Sequence, residues 1–299
     1  MSMPDWMDGT SIAFPNLGIY LENVPKNISI FGFVIAYYGM IIGVGVLLAF
    51  MLITYTAKKD GQNPDDFYDM GLWALVIGVI GARLYYVAFS WDDYKDDLLS
   101  ILNIRQGGLA IYGGVIAGIA TAIIWCRIKK KNMFAMIDTG ILGVLVGQIL
   151  GRWGNFTNRE VFGGYSDGLF AMRLPLEAVR QNDIPPELAA TIKEGTNYIQ
   201  VHPTFLYESF ANLVLLVLIF TLRKFKKFNG EMALWYLGGY GIIRFVIEGI
   251  RVDQLKIPGT TIPVSQCLGG FLFAAALIID IVVRLRQVNT KKIQSEEKA

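Results

Sequence analysis

A single histidine, His202, and two isolated cysteines, Cys126 and Cys267, leave this chain poor in the side chains that hold transition metals. The cysteines show no metal-type spacing, and a lone histidine would need carboxylates gathered around it to bind an ion. No metal or cofactor is expected. Both cysteines stand in apolar surroundings predicted near opposite membrane faces, which argues against a disulfide between them. Charge is scarce too: charged residues make up 17% of the chain and hydrophobic ones 54%, whereas a soluble domain carries about 25% charge. That balance excludes an ordinary soluble protein and points to a polytopic membrane protein. The net charge of +2 is uninformative, and no nucleic acid is expected as a partner. Residues 1–30 hold prolines, acids and Lys26 with no basic stretch ahead of a short apolar core, so a cleavable signal peptide is not expected. No internal repeat pairs one half of the chain with the other, which counts against an inverted-repeat transporter.

What the chain has in abundance is long apolar runs. Seven are long enough to cross a bilayer, at 31–55, 67–90, 108–127, 133–150, 204–222, 230–249 and 264–284. The predicted fold is an all-α integral membrane protein of seven transmembrane helices with a small extracytoplasmic cap between helices 4 and 5. Lysine and arginine in the connections give its orientation. Lys58 and Lys59 follow the first run, and Arg127, Lys129, Lys130 and Lys131 the third. Arg223, Lys224, Lys226 and Lys227 follow the fifth, and Arg284, Arg286, Lys291 and Lys292 the seventh, whereas Asp92, Asp93, Asp96 and Asp97 follow the second. The N-terminus is therefore predicted outside and the C-terminus in the cytoplasm. The expected order is an extracytoplasmic arm over 1–30, helices over 31–150, the cap over 151–203, helices over 204–284 and a cytoplasmic tail over 285–299. Pro175, Pro185 and Pro186, with several glycine turn signals, predict that the cap is folded rather than a tail.

Polar residues beside the apolar runs are few and clustered. Arg152, Asn155, Asn158, Arg159 and Glu160 lie within 151–164, directly after the fourth run. In the sixth, Tyr240, Arg244, Glu248 and Arg251 are spaced so that a helix aligns them on one stripe. Either Arg244 and Glu248 neutralise each other and lock the helix to a neighbour, or the stripe serves a ligand, as ionisable groups within a membrane commonly do. Arg83, in the second run with Asp69, could pair with Glu208 or Glu248 or face a polar cavity. Tyr37 and Tyr38 read as interfacial anchors. The glycines of Gln106–Gly114 read as helix-packing surfaces that, with Tyr112, would also let a ligand approach the backbone. For His202, ahead of Pro203, a hydrogen bond at a helix start is favoured over catalysis. Arg152, Asn155, Glu160, Arg244 and Arg251 are expected to gather at the outer leaflet. Arginine forks suit phosphate oxygens, so an anionic phospholipid headgroup is the expected ligand.

The stretch Gly151-Arg152-Trp153-Gly154-Asn155-Phe156-Thr157-Asn158-Arg159-Glu160-Val161-Phe162-Gly163 resembles the signature of the bacterial phosphatidylglycerol–prolipoprotein diacylglyceryl transferase family. Tyr38-Gly39, the glycine-rich opening of the third run, His202-Pro203-Thr204 with Leu206-Tyr207-Glu208, and Tyr240 through Arg251 resemble family segments in the family's order, over nearly the whole chain. The resemblance implies transfer of the diacylglyceryl group of phosphatidylglycerol to the lipobox cysteine of a prolipoprotein signal peptide, with release of glycerol 1-phosphate. It implies the bacterial cytoplasmic membrane as the location and membrane lipid as a partner. Arg152 and Arg244 would hold the phosphate, and Asn155 and Glu160 would orient glycerol hydroxyls or Arg152 itself. Gly163 would permit close backbone approach, and Tyr38, Tyr240, Glu248 and Arg251 would line the substrate site. Many family members have His-Gly-Gly where this chain has Tyr112-Gly113-Gly114. A phenol is a poor general base near neutral pH, so Tyr112 would act as a base only if nearby arginines depress its pKa, or would only hydrogen-bond the thiol or headgroup. The departing phosphate could itself take the proton. Phe205 stands where relatives often carry a polar residue, which reads as a packing change. The competing classes are a transporter or flippase for an anionic lipid or solute, and a non-catalytic lipid-binding scaffold.

Overall fold

The structure is a computed structural model that describes residues 6–104 and 107–296, with side chains to residue 290. Gln106, the ends of the expected arm and tail, and the side chains of Lys291 and Lys292 lie outside the described residues. In chain order the elements are β1 (Ile12–Phe14), β2 (Ile19–Leu21), β3 (Asn27–Ile30), β4 (Phe33–Ala36), α1 (Tyr37–Lys59), α2 (Pro64–Phe89), α3 (Ile111–Ile128) and α4 (Met133–Asn158). Then come β5 (Met172–Pro175), α5 (Pro186–Ala189), β6 (Tyr198–Val201), α6 (Thr204–Leu222), α7 (Glu231–Glu248) and α8 (Val264–Glu296).

Among these, the 6 helices α1, α2, α3, α4, α6 and α8 are long and apolar enough to cross a membrane. α7 fills the stretch expected for the sixth span. Its 18 residues carry Glu231, Arg244 and Glu248, and that charge keeps it out of the set. The fold is mostly helical, but the all-α expectation lacks two small sheets. The first run begins as a helix only at Tyr37, because Phe33–Ala36 pairs with Asn27–Ile30 as a hairpin. The fourth does not stop at 150: α4 continues to Asn158, so most of the signature is helical.

The chain divides into two compact units, 1–49 with 141–299, and 50–140. In the first, β2, β1, β5 and β6 form an antiparallel sheet in that order, joining residues near the N-terminus to those of the long connection. Beneath it Ile12, Phe14, Phe162, Met172, Leu174, Ile199, Val201 and Phe205 are buried together. Each such side chain contributes about 1.5–3 kcal/mol of burial, enough to make this region a folded body. α6 starts at Thr204 because Pro203 disfavours helical geometry in the residue before it.

In the second unit, α2 opens with the Asn63 side chain accepting from the Asp65 N–H at 3.2 Å, Pro64 in the first turn, and Asp65 and Asp66 beside the helix's positive end. α2 and α3 cross where Gly81 meets Gly113; a Cβ on Gly113 would lie 2.4 Å from the Gly81 carbonyl oxygen. These glycines are packing surfaces, as small residues between membrane helices are. Among the described residues Arg83 bonds to backbone carbonyls. Its guanidinium donates to the carbonyls of Ile101 and Ser100 at 2.8 Å, Gly107 at 2.9 Å and Gly108 at 3.0 Å. It therefore holds the loop that leads into α3, because a buried guanidinium needs its donors satisfied. Cys126 is buried and Cys267 exposed, both as free thiols.

Candidate functional site

The first unit builds one continuous polar network from three helices. Arg152 sits near the end of α4, Glu208 one turn into α6, and Tyr240, Arg244 and Glu248 on one face of α7. Arg152 Nη2 lies 2.6 Å from Glu208 Oε1, and Arg244 Nη1 lies 3.5 Å from Glu208 Oε2. Arg244 Nη2 then meets Glu248 Oε2 at 2.6 Å, and Arg251 Nη1 lies 4.0 Å from that same oxygen. Arg251 ends the chain on Asp253 at 2.6 Å. Tyr240 donates to Glu208 Oε1 at 3.4 Å. Arg244 and Glu248 do pair, but the pair is one link in a longer chain rather than a self-contained lock.

The charges are layered. The Glu208 and Glu248 side chains are 1% and 3% exposed, whereas those of Arg152 and Arg244 are 20% and 17% exposed. The buried carboxylates hold the guanidinium groups by charge-assisted bonds, and the arginine is the more exposed member of each pair. On the α4 side, Arg152 Nη1 donates to Asn155 Oδ1 at 3.3 Å, and Asn155 Nδ2 donates to Glu160 Oε1 at 3.0 Å. Arg180 approaches Glu160 from the surface at 3.4 Å.

Tyr38 packs its ring on Gly154, where a Cβ would fall 2.4 Å from the ring. Gly163 serves close approach within the protein. It donates to the His202 carbonyl at 3.0 Å and bridges to Arg251, and a Cβ there would lie 2.8 Å from His202 Cβ and 2.9 Å from the Ile250 oxygen. Arg159 plays a structural part: it is buried and donates to the carbonyls of Thr10, Val24 and Thr157. Arg159 and Val161 both adopt positive φ, 57° and 58°. For a β-branched residue that conformation is strained, and it persists because Thr204 Oγ1 donates to the Val161 carbonyl. His202 Nδ1 meets the Tyr207 hydroxyl in the first turn of α6 at 3.4 Å, the helix-start role expected of it. Burial pulls its pKa down. Burial also opposes the charge of Arg251, but the Asp253 hydrogen bond and charge, with Glu248 and Glu208 beyond, outweigh it and move that pKa up.

Arg152, Asn155, Glu160, Tyr240, Arg244, Glu248 and Arg251 are thus brought into one network, with Tyr38 and Gly163 packed against its supports. Tyr112, the second residue of α3, belongs to the other unit and is 58% exposed. Sequence reasoning treated Glu208 as a partner for Arg83 and missed it as the hub. The signal was present in the stripe Thr204, Glu208 and Asn212, polar at every fourth position of an apolar helix and all buried. Phe205 packs with Trp153 and Phe156 at ring separations of 5.4 and 4.7 Å, the packing role read for it.

Helices of this length and apolarity around a buried arginine–glutamate chain fit a multi-pass membrane protein. Residues 25–282 match the family model described as prolipoprotein diacylglyceryl transferase. The chain is 36% identical over 271 residues to the phosphatidylglycerol–prolipoprotein diacylglyceryl transferase of Finegoldia magna, covering 90% of this chain and 98% of the relative. It is 42% identical over 252 residues to the enzyme of that name from Lactobacillus acidophilus, covering 84% and 86%. With the Clostridium botulinum enzyme it shares 38% over 249 residues, covering 83% and 93%. The chain belongs to the prolipoprotein diacylglyceryl transferase family.

Proposed function

We propose that this protein transfers the diacylglyceryl group of phosphatidylglycerol to the lipobox cysteine thiol of a prolipoprotein, with Arg152 and Arg244 holding the lipid phosphate. The observation that supports the site assignment is the pairing of two partly exposed arginines with carboxylates that are almost fully buried. In the reaction the thiol sulfur bonds to the terminal glyceryl carbon, and that carbon's bond to the phosphate oxygen breaks. The phosphate leaves with the electron pair as glycerol 1-phosphate, and the thiol proton ends on the departing phosphate or in solvent. Negative charge grows on the leaving oxygen, so fixed cations lower the barrier. Asn155 and Glu160 orient Arg152 or the glycerol hydroxyls. Tyr38, Tyr240, Glu248 and Arg251 complete the headgroup site, Gly163 keeps its backbone support close, and Tyr112 hydrogen-bonds the thiol or headgroup. No cysteine of this chain takes part, because the sulfur comes from the second substrate.

In this reading α7 is the sixth of seven membrane crossings, in the bacterial cytoplasmic membrane. The 1–30 arm and the 151–203 cap lie outside, helices span 31–150 and 204–284, and the 285–299 tail is cytoplasmic. Transport of an anionic lipid or solute is not favoured, given the family. The test uses purified protein, phosphatidylglycerol and a synthetic lipobox peptide, reading the diacylglyceryl mass increment on the peptide and the released glycerol phosphate. Wild type gives both products, and Arg152→Ala loses at least about 100-fold in rate. Tyr112→Phe, run alongside, loses most activity if the hydroxyl meets the reacting groups. A normal rate in Arg152→Ala refutes the phosphate clamp.

A further inference from the structure

One helical turn below the arginine–glutamate chain lies a second set of polar groups that the reaction as described does not use. α4 and α6 run antiparallel in contact: Phe156 meets Phe205, Arg152 meets Glu208, and Ser209 donates to the Ile149 carbonyl. Stepping one turn down from Arg152 on α4 reaches Gln148, and one turn along α6 from Glu208 reaches Asn212, a rise of about 6 Å on each. On α7 the same step from Tyr240 reaches Tyr236. The antiparallel register thus brings Gln148 and Asn212 to one level on α4 and α6, and Gln148 reaches Tyr236 on α7.

Gln148 Nε2 donates to the Tyr236 hydroxyl at 2.8 Å. Tyr236 stacks on Tyr240 with centroids 5.6 Å apart and planes 3° from parallel. Tyr240 in turn reaches Glu208. Asn212 is 0% exposed, and neither its Oδ1 nor its Nδ2 has a partner among the described residues; Gln148 Oε1 has none either. Unpaired amides inside a membrane protein are costly, and polar groups at one level with spare donors and acceptors suit a water with three or four hydrogen bonds.

We propose that Gln148, Asn212 and Tyr236 form a water-bridged positioning tier that sets Tyr240 and Glu208, and through them the guanidinium groups of Arg152 and Arg244. The water accepts from the Asn212 amide and donates to Gln148 Oε1, and the Tyr236 hydroxyl and Asn212 Oδ1 have capacity for its remaining bonds. The three are positioning residues, since their level is a turn removed from the arginines. The kinetic consequence rests on the transferase reading above.

The experiment compares Asn212→Leu, Gln148→Leu, their double variant and Tyr236→Phe in the purified transferase assay, with thermal unfolding of each. Asn212→Leu is expected to lower kcat roughly tenfold to a hundredfold through misplacement of the guanidinium groups. KM for phosphatidylglycerol should stay within about twofold, and the unfolding temperature should not fall, because leucine replaces an amide without a direct partner. The double variant should be no slower than the slower single variant, because both remove the same bridge. Tyr236→Phe, which keeps the stack, should lose kcat in the same way. A wild-type kcat in Asn212→Leu or Tyr236→Phe, or multiplying losses in the double variant, overturns the tier. If wild type transfers nothing, the transferase reading fails instead. Unfolding temperatures then decide the bridge: non-additive shifts support it, and additive shifts overturn it.

Discussion

Glu208 stands between two arginines with its side chain 1% exposed, so its charge is spent inside the protein rather than on solvent. Removing one member of a buried ion pair costs about 3–5 kcal/mol, because the charge left behind loses its partner. Glu208→Gln keeps the volume but withdraws the negative charge that both guanidinium groups share. Thermal unfolding should shift down, and the transfer rate should fall on the order of a hundredfold as the forks lose their alignment. Initial rates and unfolding curves on the same preparation check both; a glutamine variant with wild-type rate would mean the arginines keep their positions without it. At this scale the sequence was half legible. Tyr240, Arg244, Glu248 and Arg251 announce a shared stripe because helical spacing turns sequence distance into direction. Glu208 did not, because which neighbour a lone glutamate faces depends on packing between helices far apart in sequence.

Elements were legible where they are long and local. An apolar run of membrane length specifies a helix almost regardless of its neighbours, and α2, α3 and α6 begin or end within a few residues of the expected limits. The sheet was not legible. β1 and β2 have 3 residues each and β5 and β6 have 4, and the pairing of Ala13 with Arg173 joins distant parts of the chain. The end of α4 was misread for a different reason: hydropathy falls at Arg152, but backbone hydrogen bonding continues to Asn158. Where the signature, the re-entry at His202 and the end of α7 cross, Gly163 is the contact. Gly163→Ala would press a methyl against His202 Cβ and the Ile250 carbonyl oxygen, and backbone cannot swing aside as a side chain can. Overpacking of this kind costs about 1–3 kcal/mol. Gly164→Ala is the control, since nothing lies within 4 Å of a Cβ there. Thermal unfolding should fall for the first and stay near wild type for the second; equal behaviour would show that the crossing has slack.

For the whole molecule, orientation decides which leaflet supplies the lipid and on which side the prolipoprotein cysteine must arrive. Basic connections follow α1, α3 and α6, and an acidic one follows α2, a distribution that predicts the basic ends in the cytoplasm. In the proposed orientation the signature would open to the outside, where the cysteine of a translocated signal peptide would meet it. The orientation can be read by single cysteines in a background with Cys126→Ala and Cys267→Ala. Asp96, Lys193 and Lys224 are exposed and lie in three different connections. In intact bacteria a membrane-impermeant maleimide should label Asp96→Cys and Lys193→Cys at once, and Lys224→Cys only after permeabilisation. Labelling of Lys224→Cys in intact cells with protection of the other two would invert the molecule. It would put the arginine site at the inner leaflet, where a thiol on the far side of the membrane has no route to it.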